Sequence, residues 1–160
     1  MNLEERKAAF SQLGTRLKQL PKVDLEAISN KARIKNPWFT AENIQLAIDG
    51  ISIFLNHEKL ENWLSKYTIN ESSSKTVGVA MAGNIPLVGF HDYLCILIAG
   101  HHAQIKLSSQ DSELLPFVHG LLSEIEPRFS GLASFEERLH QYDAAIATGS
   151  DNTGRYFSYY

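Results

Sequence analysis

The chain has 160 residues, 44% of them hydrophobic and 21% charged, and a formal net charge of −3. That size and balance describe one folded globular chain with a real core rather than a disordered one. They exclude a basic footprint for nucleic acid or an anionic membrane, and the single cysteine excludes an intrachain disulfide framework.

The longest apolar run, Tyr93 to Ala99, is far too short to span a bilayer. The opening MNLEERKAAF is charged where a secretory signal needs an apolar core. Together with the lone cysteine, this sets the expectation of a cytoplasmic protein.

Apolar residues at Leu3, Phe10, Leu13, Leu17 and Leu20 predict a first helix that stops at Pro21. Asp24 is expected to cap a second helix carrying Leu25, Ile28, Ala32 and Ile34, which the stretch KNPWFTAEN breaks. Thr40 opens a third, with Ile44, Ala47, Ile48, Ile51 and Leu55 on one stripe, and Lys59 to Lys66 forms a fourth segment around Leu60, Trp63 and Leu64. The polar run TINESSSK, Thr68 to Lys75, has nothing to bury and marks the division between a helical N-terminal segment, residues 1–70, and a second region, 71–160.

Beyond that run the pattern changes. Thr76 to Met81 is short, apolar and β-branched, as a buried strand is. Pro86 suits the first turn of a helix that continues to Gly100. Ala103 to Leu107 is a second strand, Asp111 starts a helix through Leu114, Val118, Leu122 and Ile125, and EPRFSGLAS is irregular. Phe135 to Tyr142 is expected to be helical, Ala144 to Thr148 a third strand, and the residues after Gly149 and Ser150 a last helix. Buried-type strands alternating with helices imply an α/β fold with a parallel sheet.

In such sheets ligands bind beyond the carboxyl ends of the strands. Three strand-to-helix turns fall on that edge: Ala82 to Pro86, Ser108 to Asp111, and Gly149 to Asn152. Backbone N–H groups there favour phosphate, although no GxGxxG or GxxxxGK[ST] motif is present. Capped turns of a purely structural sheet are the simpler reading of the same residues.

The order AGNIPL, IKLSSQDS, IATGSDNTGRYF resembles the cofactor domain of the aldehyde dehydrogenase superfamily, and in detail the long-chain acyl-CoA reductases typified by the acyl reductase of bacterial luminescence. The resemblance runs from Thr76 to Tyr160 and implies a Rossmann-like cofactor domain behind the helical segment. It implies that Asn84 stabilises the oxyanion formed when a thiolate attacks the acyl carbonyl, a task for a fixed neutral donor. Lys106 matches the lysine at the adenosine ribose, Gly149 and Ser150 the turn at the pyrophosphate, and Gly154 a close helix approach. Alone, Asn84 reads as a helix cap and Lys106 as a strand-end lysine reaching solvent. Where NAD-preferring relatives carry an acid after that lysine, this chain has Ser108 and Ser109, which favours NADP(H), with NAD(H) as the alternative.

The implied substrate is an acyl-CoA or acyl-protein thioester. The family's nucleophilic cysteine lies beyond the Gly-Ser motif on a separate domain, so the chain is expected to be the N-terminal part of a longer enzyme. Cys95, inside an apolar helix, reads as a buried inert thiol. No HExxH, CxxC or GxSxG pattern points to a metal or a serine nucleophile, and His101-His102 reads as a cationic pair at a helix end. Self-association into a homo-oligomer is left open. The rival expectation is a non-catalytic nucleotide-binding or interaction module using the same three turns.

Overall fold

The computed structural model describes residues 1–69 and 73–148. Helix α1 (Leu3–Lys18) opens on a reciprocal capping box: Asn2 accepts the Glu5 N–H at 2.9 Å, and the Glu5 carboxylate accepts the Asn2 N–H at 2.8 Å. Helices α2 (Lys22–Lys35), α3 (Ala41–Phe54) and α4 (His57–Leu64) follow. Thr40 caps α3 as its sequence suggests, its hydroxyl accepting the Asn43 N–H. Asp24 does not cap α2. Pro21, at φ −58°, already has the backbone angle of a helix entry, so α2 starts at Lys22 and Asp24 falls in its first turn.

The second half is a four-stranded parallel sheet: β1 (Thr76–Ala80), helix α5 (Phe90–Ile98), β2 (His102–Lys106), helix α6 (Leu114–Ile125), β3 (Ala133–Phe135) and β4 (Ala144–Ala147). The strand order is β3-β2-β1-β4. Val77 faces Ala103 on one side and Ala144 on the other, and Ala80 pairs with Lys106 and Ala147. The chain thus steps outward from β1 to β3 and returns to the far side of β1. That reversal is the order of a Rossmann-like sheet, and it opens a crevice between the carboxyl ends of β1 and β4.

One face of the sheet carries Val77, Val79, Ala103 and Ile105, all buried, and packs on α5. Behind α5 and α6 lies α1, whose Phe10 meets Tyr93 and Phe129 edge-on at ring distances of 6.4 and 5.4 Å. A single hydrophobic core therefore joins the N-terminal helices to the sheet. Arg6 reinforces the join: buried in α1, it donates Nε to the Ile98 carbonyl at 2.9 Å, at the C-terminus of α5.

Three helical expectations are corrected. Pro86 does not begin α5. Leu87 takes a left-handed conformation, φ +58°, and gives its N–H to Asp111, so residues 85–88 form a turn and α5 begins after Gly89. Asp111 does not begin α6. Pro116 is tolerated only in a first helical turn, and the helix accordingly starts at Leu114. Phe135 to Tyr142 is not a helix at all. Phe135 ends β3, paired alongside Ile105, and the following residues lie across the opposite face of the sheet. There the Gln104 side chain accepts the His140 N–H at 2.6 Å, and Leu139 and Tyr142 pack over Gly78, leaving little room for a side chain. The spacing of Phe135, Leu139 and Tyr142 imitates a helical stripe but serves an irregular segment.

Candidate functional site

The turn after β1, Met81 to Gly89, and the turn after β2, Leu107 to Glu113, are built against each other at the carboxyl edge. Gly83 sits so close to Ser108 that an added Cβ would lie 2.6 Å from the Ser108 Cβ. Glycine is required here for close approach rather than for an unusual φ. Four residues on, the Leu87 N–H donates to Asp111 Oδ2 at 2.9 Å. Asp111 is buried, and burial pushes its carboxyl pKa up to about 6, with the Leu87 and Leu114 amides opposing the shift. Its other oxygen is buried without a hydrogen bond of good geometry among the described residues.

Asn36, at the end of α2, approaches the same turn from the helical segment. Its Nδ2 donates to the Gly83 carbonyl at 3.2 Å, and its Oδ1 accepts the Trp38 N–H at 3.1 Å. On the other side of β1, the Thr148 hydroxyl donates to Asp92 Oδ2 at 3.0 Å, tying the end of β4 to the first turn of α5. The N-cap residues of α5 and α6, Gly89 and Glu113, make no side-chain cap bond, and both helices start at this edge.

Asn84 stands on the braced turn, exposed, and its side chain makes no hydrogen bond with the described residues. It does not cap α5, whose N-cap is Gly89. Lys106 ends β2, exposed, and forms no ion pair among the described residues. Ser108 is half-buried, its hydroxyl accepting the Gln110 N–H at 3.2 Å, and Ser109 is exposed beside it. The register puts Lys106 opposite Ala80, four residues before Asn84, so Asn84, Lys106, Ser108 and Ser109 share one edge. Gly149, Ser150 and Gly154, and the last helix, lie outside the described residues.

Sequence reasoning missed Asn36 and the buried bond of Asp111. Asn36 before Pro37 is a turn signal, but nothing in the sequence announces a partner 47 residues away.

Cys95 is half-exposed rather than buried. It borders a groove of about 650 Å³ lined by Trp63, Tyr67, Lys75, His91 and His101. Desolvation and the nearby Asp92 carboxylate both raise its pKa, so it remains a thiol at neutral pH. The groove runs along α5 from His91 to Ala99, and none of Asn84, Lys106, Ser108 or Ser109 lines it. His101 and His102 are not a helix-end pair: His102 begins β2, and His101 Nδ1 accepts the Lys75 N–H.

Among the described residues, no cluster of three His, Cys, Asp or Glu side chains is arranged to hold a metal ion, and no helix is long and apolar enough to cross a membrane. No protein-family model matches the chain, and no curated protein matches it significantly.

Proposed function

We propose that the chain is the cofactor-binding, N-terminal part of a cytoplasmic NADPH-dependent acyl-CoA reductase that makes a fatty aldehyde through an acyl-cysteine thioester. The observation that carries this is Asn84: an exposed, unengaged amide on a turn braced from two sides, at the carboxyl edge where the strand order reverses. A structural cap would be bonded to a helix end, and this side chain is not.

The residues present fit a 2′-phosphorylated dinucleotide. Lys106 has no partner among the described residues to compete with a phosphate, and Ser109 offers an exposed hydroxyl. The first carboxylate after Lys106, Asp111, is buried and turned inward onto the Leu87 N–H rather than out to the edge. Bound NADPH would supply the hydride that reduces the thioester to the aldehyde. The chain's own part is to bind and to orient. Lys106, Ser108 and Ser109 would hold the adenosine end, and the Asn84 amide would donate to the carbonyl oxygen as negative charge develops on it. The attacking cysteine belongs to a catalytic region outside these residues.

The test is hydride transfer from NADPH to a long-chain acyl-CoA by the longer, cysteine-bearing protein. Asn84→Ala should lower turnover by about 10² to 10³ with little change in cofactor affinity. Unchanged turnover rejects the assignment. A reading frame that stops at Tyr160 would favour a non-catalytic nucleotide-binding module instead.

A further inference from the structure

We infer that Asn36 is a positioning residue for Asn84, which makes the helical segment a working part of the site. This rests on the oxyanion role proposed for Asn84.

Asn36 is a rigid peg. It is 5% exposed, and each of its polar groups is engaged. Its N–H donates to Ala32, its carbonyl accepts the Phe39 N–H, its Oδ1 accepts the Trp38 N–H, and its Nδ2 reaches the Gly83 carbonyl. Pro37 restricts its backbone to the extended form seen, φ −142° and ψ 107°. Phe39 anchors the same loop, fully buried, and Asn43 Nδ2 donates to the Trp38 carbonyl at 2.9 Å.

The peg acts on the residue immediately before Asn84. Gly83 has no side chain with which to fix its own peptide, and the Ser108 side chain and Asp111 backbone beside it make only packing contacts with it. On the far side of Asn84, Leu87 is held by Asp111. Asn84 therefore projects from a five-residue arch whose two feet are pinned by side chains from different parts of the chain. Charge stabilisation of an oxyanion depends on such preorganisation, because a donor that must reorient gives back much of its advantage.

Two variants of Asn36 separate positioning from folding. Asn36→Asp keeps the acceptor for the Trp38 N–H but replaces the donor to Gly83 by a buried oxygen that repels the Gly83 carbonyl; Asn36→Ala loses both bonds without adding charge. In the 160-residue chain, Asn36→Ala should speed amide exchange at Leu87 and Val88 by about tenfold, the scale of one lost hydrogen bond, and Asn36→Asp by more, while Val79 and Ile105 keep parental protection. In the cysteine-bearing protein Asn36→Ala should lower kcat by about tenfold with the KM for NADPH unchanged, and cost nothing further in an Asn84→Ala background. Parental exchange in the turn would overturn the inference, and so would losses that multiply with Asn84→Ala. An Asn84→Ala protein with parental turnover would instead reject the oxyanion role and with it any catalytic purpose for the peg, even where exchange still responds to Asn36.

Discussion

The carboxylate of Asp111 accepts the backbone N–H of Leu87 at 2.9 Å inside the protein, joining the turn after β2 to the turn after β1. A left-handed leucine is costly, and Leu87, at φ +58°, is held on both sides, by this bond and by the Phe90 N–H on its carbonyl. The Asp111 carboxyl group is buried, and burial raises its pKa to about 6 from an ordinary 3.8 although the bond from the Leu87 N–H opposes the shift.

That shift makes stability depend on pH. Because the folded state holds the proton more tightly, its contribution is fully present below about 3.8 and is lost as pH rises to about 6. The cost at neutral pH is on the order of 3 kcal/mol at most. Asp111→Asn keeps an acceptor for Leu87 and removes the charge. Relative to the parent, it should gain stability in urea between pH 4 and pH 7, and the difference should be flat above about pH 7. A difference independent of pH throughout would mean that Asp111 titrates normally.

Gly83→Ala should destabilise the chain by roughly 1–3 kcal/mol through crowding against Ser108. Adding Ser108→Gly, which removes both the Oγ and the Cβ in the way, should recover part of the loss, and Ser108→Ala, which removes the Oγ but keeps the Cβ, should recover less. Thermal melts of the four proteins decide the matter, and equal melting of both double variants would break the predicted contact.

Tyr93 is fully buried, and its hydroxyl lies 2.8 Å from His119 Nδ1. Tyr93→Phe should cost about 1–2 kcal/mol, since it strands a buried ring nitrogen while keeping the aromatic packing on Phe10. Urea unfolding measures it, and a neutral result would show that water replaces the hydroxyl.

Much of the fold was legible in the sequence, because apolar period and strand composition are local signals. Thr76 to Ala80, His102 to Lys106 and Ala144 to Ala147 are strands within a residue or so of where β-branched and small apolar runs place them. The errors arose where a long-range contact overrode a local one. Leu87 leaves the helix for Asp111, and Leu139 and Tyr142 spend a helix-like spacing on covering Gly78. The site was half visible. Asn84 and Lys106 stand at the edge that the alternation of strand and helix implies, but Asn36 could be tied to them only through a fold that brings residue 36 against residue 83.

Asn84→Ala should leave stability within about 0.5 kcal/mol of the parent, because the side chain is exposed and bonded to no described residue. A helix cap at that position would cost about 1 kcal/mol on removal. A urea midpoint that falls by that larger amount would return Asn84 to a structural role.

The most direct test of the cofactor assignment is an equilibrium titration of the purified chain with NADPH and with NADH, repeated for Lys106→Ala and Ser109→Glu. Saturable binding is expected, tighter for NADPH, and weakened for both cofactors by Lys106→Ala. Ser109→Glu should penalise NADPH over NADH by roughly 1–3 kcal/mol, since a carboxylate opposes the 2′-phosphate that a hydroxyl accepts. Absence of saturable binding by either dinucleotide, or equal weakening of both by Ser109→Glu, would contradict a 2′-phosphate site at the end of β2.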